Sequence, residues 1–218
     1  MLDRTELREK YGDEMVLVAK RGDYPPMVKG YVPINHESKI DFLHHLLPDK
    51  AFYMLRCDAE HNPTVRQIIP YIYLVNNKGE YFVTKRLPST DSEERLHNSW
   101  SLGIGGHVDM SDDSEDGIYK TLINGAIREI GEEVTIITGD EKLLLSFDGV
   151  INDCESEVSK DHIGYVFQMT FEEDTVVDVN ETHKCEGEFM TPDKICENYY
   201  EFESWSKLLA GHLFKEVK

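Results

Sequence analysis

Apolar residues in this chain recur with two different periods, and the periods separate strands from helices. Ile68 to Val75, IIPYIYLV, is a long apolar run followed by Asn76-Asn77-Lys78-Gly79 and then Tyr81-Phe82-Val83-Thr84, a pattern that predicts a β-hairpin. Leu143 to Val150 and His162 to Phe171 predict two more strands, Gly187-Glu188-Phe189-Met190 a short one, and Trp100-Ser101-Leu102 the end of another. Helical spacing appears in Ile118 to Val134 and again in Tyr199 to Phe214, where Phe202, Trp205, Leu208, Leu209 and Leu213 recur as core positions. The order strands, helix, strands, helix over residues 64–218 predicts an α/β (α+β) domain.

Residues 1–63 stand apart as a small α+β extension. Glu14 to Lys20 reads as a strand, Lys39 to Leu47 as a short helix and Ala51 to Arg56 as a strand, with the boundary expected in Asp58 to Pro63. About 60 residues make a marginal core alone, so the extension is expected to pack on the remainder, lining a substrate cleft or a homodimer contact.

The helix after Gly117 carries the densest chemistry. At about 100° per residue from Ile118, the apolar residues Leu122, Ala126, Ile130, Ile123, Val134 and Ile127 sweep from ~40° to ~180°. Glu129 falls near ~20°, Glu133 near ~60° and Glu132 near ~320°, so the carboxylates crowd the apolar stripe instead of opposing it. Burying unpaired carboxylates costs several kcal/mol. A divalent cation would compensate them, and so would Arg128, one turn before Glu132; a solvated charged face held by Arg128 and Lys120 is the plainer alternative.

Gly103, Gly105 and Gly106 precede the helix, where glycine lets the backbone approach a phosphate or offer a carbonyl to a metal. The segment Gly105-Gly106-His107-Val108-Asp109, with Arg128, Glu129, Ile130, Glu132, Glu133 and Ile136, resembles the box of the Nudix hydrolases. It departs at three points. Thr135 replaces the late glycine, Asp112 stands where the family has glutamate, and an acidic insertion of about eight residues lies around Ser111 to Gly117, with Ser114 or Asp116 expected as the N-cap of the helix. The insertion reads as a solvated loop.

The resemblance implies an α/β/α sandwich with a mixed sheet over residues 64–218, and a hydrolase that cleaves a diphosphate linkage in a small nucleotide or nucleoside diphosphate derivative. Mg²⁺ or Mn²⁺ is the implied cofactor, since hard oxygen ligands suit both. By position, Glu129, Glu132 and Glu133 are the implied metal ligands, with the Gly105 or Gly106 carbonyl, and Arg128 orients them. Lys85-Arg86 is placed to meet substrate. A further carboxylate would come from Glu186, Glu188 or Asp112, or from Glu172 or Glu173. Two alternatives stay open: a catalytically silent nucleotide sensor or binding module, and an isopentenyl-diphosphate isomerase-like enzyme needing a cysteine and a glutamate.

Composition trims the partners. A net charge of −19 repels a nucleic-acid backbone, so no nucleic acid is expected. No apolar run approaches a membrane span, and MLDRTELREK lacks the apolar region of a signal peptide, so a cytoplasmic location and no membrane are expected. Cys57, Cys154, Cys185 and Cys196 form no C-x-x-C pair, which indicates neither a zinc site nor a disulfide framework.

Overall fold

The computed structural model describes residues 2–24, 29–34, 50–88, 99–139, 143–153, 159–172 and 174–214. The helix expected over Lys39 to Leu47 lies outside them, as do Glu173 and Cys154. In chain order the elements are α1 (Arg4–Tyr11), β1 (Met15–Lys20), β2 (Gly30–Pro33), β3 (Phe52–Leu55), α2 (Arg56–Ala59), β4 (Val65–Val75), β5 (Tyr81–Arg86), β6 (Trp100–Ser101) and β7 (Ile104–Gly105). There follow α3 (Ile118–Glu133), β8 (Val134–Thr138), β9 (Leu144–Asn152), β10 (His162–Thr170), β11 (Thr175–Val179), β12 (Cys185–Met190), α4 (Pro192–Glu197) and α5 (Ser204–Leu213). The fold is the expected α+β class with a large mixed sheet. Among the described residues no helix is long and apolar enough to cross a membrane.

The chain divides into two compact units, the first of residues 1–70, 106–128 and 149–165, the second of residues 71–105, 129–148 and 166–218. In the first, β1 lies between β3 and β4 with antiparallel register Leu17↔Tyr53 and Ala19↔Arg66. Because both edges of β1 are paired and both faces covered, its apolar run is continuous, and Val16 and Val18 pack with Ala59, Val65, Phe52 and Met54. Helix α1 was not legible from apolar spacing, since Leu7 is its one buried residue; it is set by a capping box between Asp3 and Glu6.

In the second unit β5 is flanked by β12, in register Cys185↔Arg86 to Met190↔Tyr81, and by β6. Strand β7 pairs with β4 through Tyr71↔Gly105. A Cβ on Gly103 would lie 2.4 Å from the Tyr71 ring, so only glycine fits there, while the Tyr71 hydroxyl bonds Glu203 and Ser206 at 3.0 and 2.9 Å. The helix expected over Tyr199 to Phe214 is shorter at its start. Its α-helical part begins at Ser204, where Glu203 accepts from the Trp205 and Ser206 amides, and Tyr199–Glu201 is a separate 3₁₀ turn.

Candidate active site

Helix α3 buries a different face from the one its apolar residues suggest. Thr121, Leu122, Gly125, Ala126 and Ile130 are buried, whereas Ile127, expected within the apolar stripe, is 55% exposed. The buried arc is therefore centred near ~30° on the wheel used above, inside the sector holding Glu129, Glu132 and Glu133. Small residues, Thr121 and Gly125, let that face approach its neighbours, and apolarity alone does not reveal it.

Within the second unit the helix ends among charges. Glu129 and Glu133 are half-buried and Glu132 is exposed. Burial pushes the Glu133 carboxyl up to about 7; Arg86 opposes the rise, and Glu129, Glu181 and Glu132 add to it. Cys185, opposite Arg86 in the sheet, has its thiol pushed up by burial first and by Glu133 next. Glu181, not among the residues expected from the sequence, thus stands in the field of the cluster, bonded to Lys184 at 2.7 Å. No periodicity or motif marks it.

Strand alternation sorts the other candidates. Arg86 and Cys185 share the strand face that senses Glu133, while Lys85 and Glu186 are register partners on the opposite face. Lys85 lies 5.2 Å from the centre of the Trp100 ring, and Glu188, also on that face, is paired with Lys194 at 2.6 Å. Arg86 is brought to the carboxylates; Lys85, Glu186 and Glu188 are not.

The helix exit is closed without the motif's glycine. Helix α3 runs directly into β8, and Asn180 donates its side-chain amide to the Gly131 and Glu132 carbonyls, each at 3.1 Å. Thr135 Oγ1 donates to Asn180 Oδ1 at 2.7 Å, and the Asn180 backbone amide donates to the Glu133 carbonyl at 2.9 Å. A residue remote in sequence thereby satisfies carbonyls that a C-terminal glycine turn would otherwise serve.

Within the first unit Arg128 binds the turn that leads into the helix. Its guanidinium donates to Asp112 Oδ2 at 2.8 Å, Asp112 Oδ1 at 3.0 Å and the His107 carbonyl at 2.7 Å. Asp112 is 3% exposed and also accepts from the Asp109 amide at 3.0 Å, so this part of the insertion is core, whereas Ser111, Asp113, Glu115, Asp116 and Gly117 are exposed as expected of a solvated loop. Gly125 leaves room for this packing, because a Cβ there would sit 3.2 Å from Asp112 Oδ2. Neither Ser114 nor Asp116 caps α3; the Gly117 carbonyl accepts from the Lys120 and Thr121 amides, and Ser114 Oγ turns back to the Asp116 amide at 3.3 Å. Gly106 is half-buried next to His107, whose ring is driven well below the ordinary imidazole range by burial, then by Arg56, His162 and Arg128.

The N-terminal residues join the same turn. The Leu17 amide donates to the Val108 carbonyl at 2.8 Å, Val16 bridges Asp109, and the Tyr53 hydroxyl donates to Asp113 at 3.3 Å.

No protein-family profile matches the chain. It is 30% identical over 205 residues to Protein YmaB of Bacillus subtilis (strain 168), across 92% of this chain and 98% of that one. It superposes with TM-score 0.72 on the crystal structure of Tm1382, a candidate Nudix hydrolase, at 29% identity over 93% of this chain and 99% of that one. A MutT protein from Methanosarcina mazei Go1 is similar over 69% of this chain and 94% of its own, at 22% identity and TM-score 0.42, too distant to add to the argument.

Proposed function

This chain belongs to the Nudix hydrolase superfamily, and from that premise we propose that it is a divalent-metal-dependent hydrolase of a diphosphate linkage in a small nucleotide or nucleoside diphosphate derivative. The observation that carries the reading is Glu133: a half-buried carboxyl on the helix face of Glu129, raised to about 7 by burial and by neighbouring carboxylates, with Arg86 opposing the rise. A donor set of carboxylates held that way suits a hard dication. Glu129, Glu132 and Glu133 would hold the Mg²⁺ or Mn²⁺, with the Gly105 carbonyl as a further ligand. When bound, the ion screens phosphate charge and lowers the pKa of a water.

The chain's own residues supply the rest. Arg86 meets a substrate phosphate from the edge of the carboxylate cluster, and the Gly106 amide is a further candidate for phosphate contact. Lys85, on the other strand face, contributes long-range charge only. Arg128 is a positioning residue, fixing the His107 carbonyl and Asp112 so that the turn keeps its place on α3. One of the helix glutamates accepts the proton of the attacking water. The N-terminal extension serves the substrate cleft or a homodimer contact in this reading, which is supported by the bonds of Leu17, Val16 and Tyr53 to Val108, Asp109 and Asp113. Among the described residues Cys57, Cys185 and Cys196 form no disulfide, which suits a reducing cytoplasm.

The test is product release from nucleoside triphosphates, dinucleoside polyphosphates, ADP-ribose, nucleotide sugars, NADH and CoA, with Mg²⁺ and then Mn²⁺. Turnover abolished by chelator supports the hydrolase. Silence across the panel, in protein stabilised by one of these nucleotides, supports the sensor reading instead.

A further inference from the structure

A second group of ligand-bearing side chains lies in the first unit, away from the glutamates of α3 in sequence and different in chemistry. His107 Nε2 and His162 Nε2 are 3.3 Å apart, and with a Glu60 carboxylate oxygen they form a set whose ligand atoms all lie within 4.8 Å of one another. His162 is buried, and His107 and Glu60 are half-buried. Two nitrogens each ~2.0–2.1 Å from a tetrahedral zinc ion are separated by ~3.3–3.4 Å, which is the spacing of the two rings. The Glu60 carboxylate oxygen lies within 4.8 Å of both nitrogens.

The surroundings hold these ligands in place. The His107 backbone is fixed by Arg128 Nη2 on its carbonyl at 2.7 Å. Arg56, one turn before Glu60, uses Nη1 on both oxygens of Glu14 at 2.9 and 3.1 Å and reaches Glu60 only through Nε at 3.4 Å. Glu60 therefore keeps an oxygen to turn toward the imidazoles. Two imidazoles and one carboxylate prefer zinc-like transition metals to Mg²⁺, and leave a fourth position for water.

We propose that Glu60, His107 and His162 form a binding site for a transition-metal dication of the zinc class, built from ligands other than the glutamates of α3. The ion ties three chain segments: the turn after α2, the glycine-rich turn after β7, and the start of β10. It anchors the N-terminal residues to the lead-in of the box, and it stands whether or not the hydrolase reading holds.

The test is titration of the metal-free full chain with Co²⁺ as a spectroscopic probe. One equivalent develops the visible bands of a four- or five-coordinate nitrogen-ligated ion, Zn²⁺ removes them, and millimolar Mg²⁺ does not. Zinc at 100-fold above its Kd raises Tm by about 5–10 °C. Glu60→Gln and His107→Asn weaken Co²⁺ binding at least about 10-fold, while Glu132→Gln leaves the bands unchanged. Absence of the bands in the wild-type chain overturns the proposal and leaves the two rings as an ordinary imidazole hydrogen bond. Bands that survive in both Glu60→Gln and His107→Asn overturn it as well, and place the ion elsewhere.

Discussion

Asp112 and Arg128, separated by 16 positions in the sequence, meet through a two-nitrogen fork at 2.8 and 3.0 Å. The aspartate that stands in the place of a family glutamate is thus the partner of the arginine, and its burial makes the pair structural. Asp112→Ala removes the nearest carboxylate from a partly buried guanidinium, leaving it Asp109 at 3.7 Å and the His107 carbonyl, and is expected to cost about 2–3 kcal/mol, with Arg128→Lys, which keeps the charge and loses the fork, costing about 1–2 kcal/mol. Urea denaturation measures both. A loss below about 1 kcal/mol for Asp112→Ala would mean that water already solvates the pair.

Thr135 and Asn180 make a second, opposite prediction. Restoring the family glycine by Thr135→Gly should destabilise the chain by about 1 kcal/mol, because Thr135 sits in β8 opposite Asp178 and donates to Asn180. Asn180→Ala removes donors from two exposed carbonyls and is expected to cost about 1 kcal/mol. A gain in Tm for Thr135→Gly would show that the helix exit is strained as it stands.

Cys185 separates the hydrolase from the isomerase-like alternative. Among the described cysteines it stands in the field of Glu133, and burial raises its thiol, which works against a thiolate at neutral pH. Cys185→Ser should keep metal-dependent hydrolysis within about 2-fold, since no proton transfer at carbon is involved. Loss of all turnover, together with wild-type turnover of an isoprenoid diphosphate, would favour the isomerase.

Much of the fold was legible because it is written in local pattern. The run Ile68 to Val75 is buried throughout in β4, and the Asn76 to Gly79 turn returns the chain to β5 as expected. Strands β8 and β11 were not, since among the described residues they pair only with each other and carry exposed Ile137 and Val176. The helix glutamates were found by their angle, yet the angle of the buried face was misjudged, because Gly125 and Thr121 bury as well as isoleucine does when a neighbour comes close. Long-range partners had no local signal at all: Asn180 on the helix end, Glu181 beside Glu133, and Glu60, His107 and His162 brought together from distant segments.

The central claim is that the glutamates of α3 hold the metal used in hydrolysis. The most direct measurement compares kcat/KM for the best nucleotide substrate, with Mn²⁺, in the wild-type chain and in Glu129→Gln, Glu132→Gln and Glu133→Gln, with Tm recorded for each. The glutamine variants are expected to fall at least about 100-fold with Tm unchanged or raised, since neutralising a half-buried carboxyl relieves repulsion. Activity within about 3-fold of wild type in all of them would contradict it.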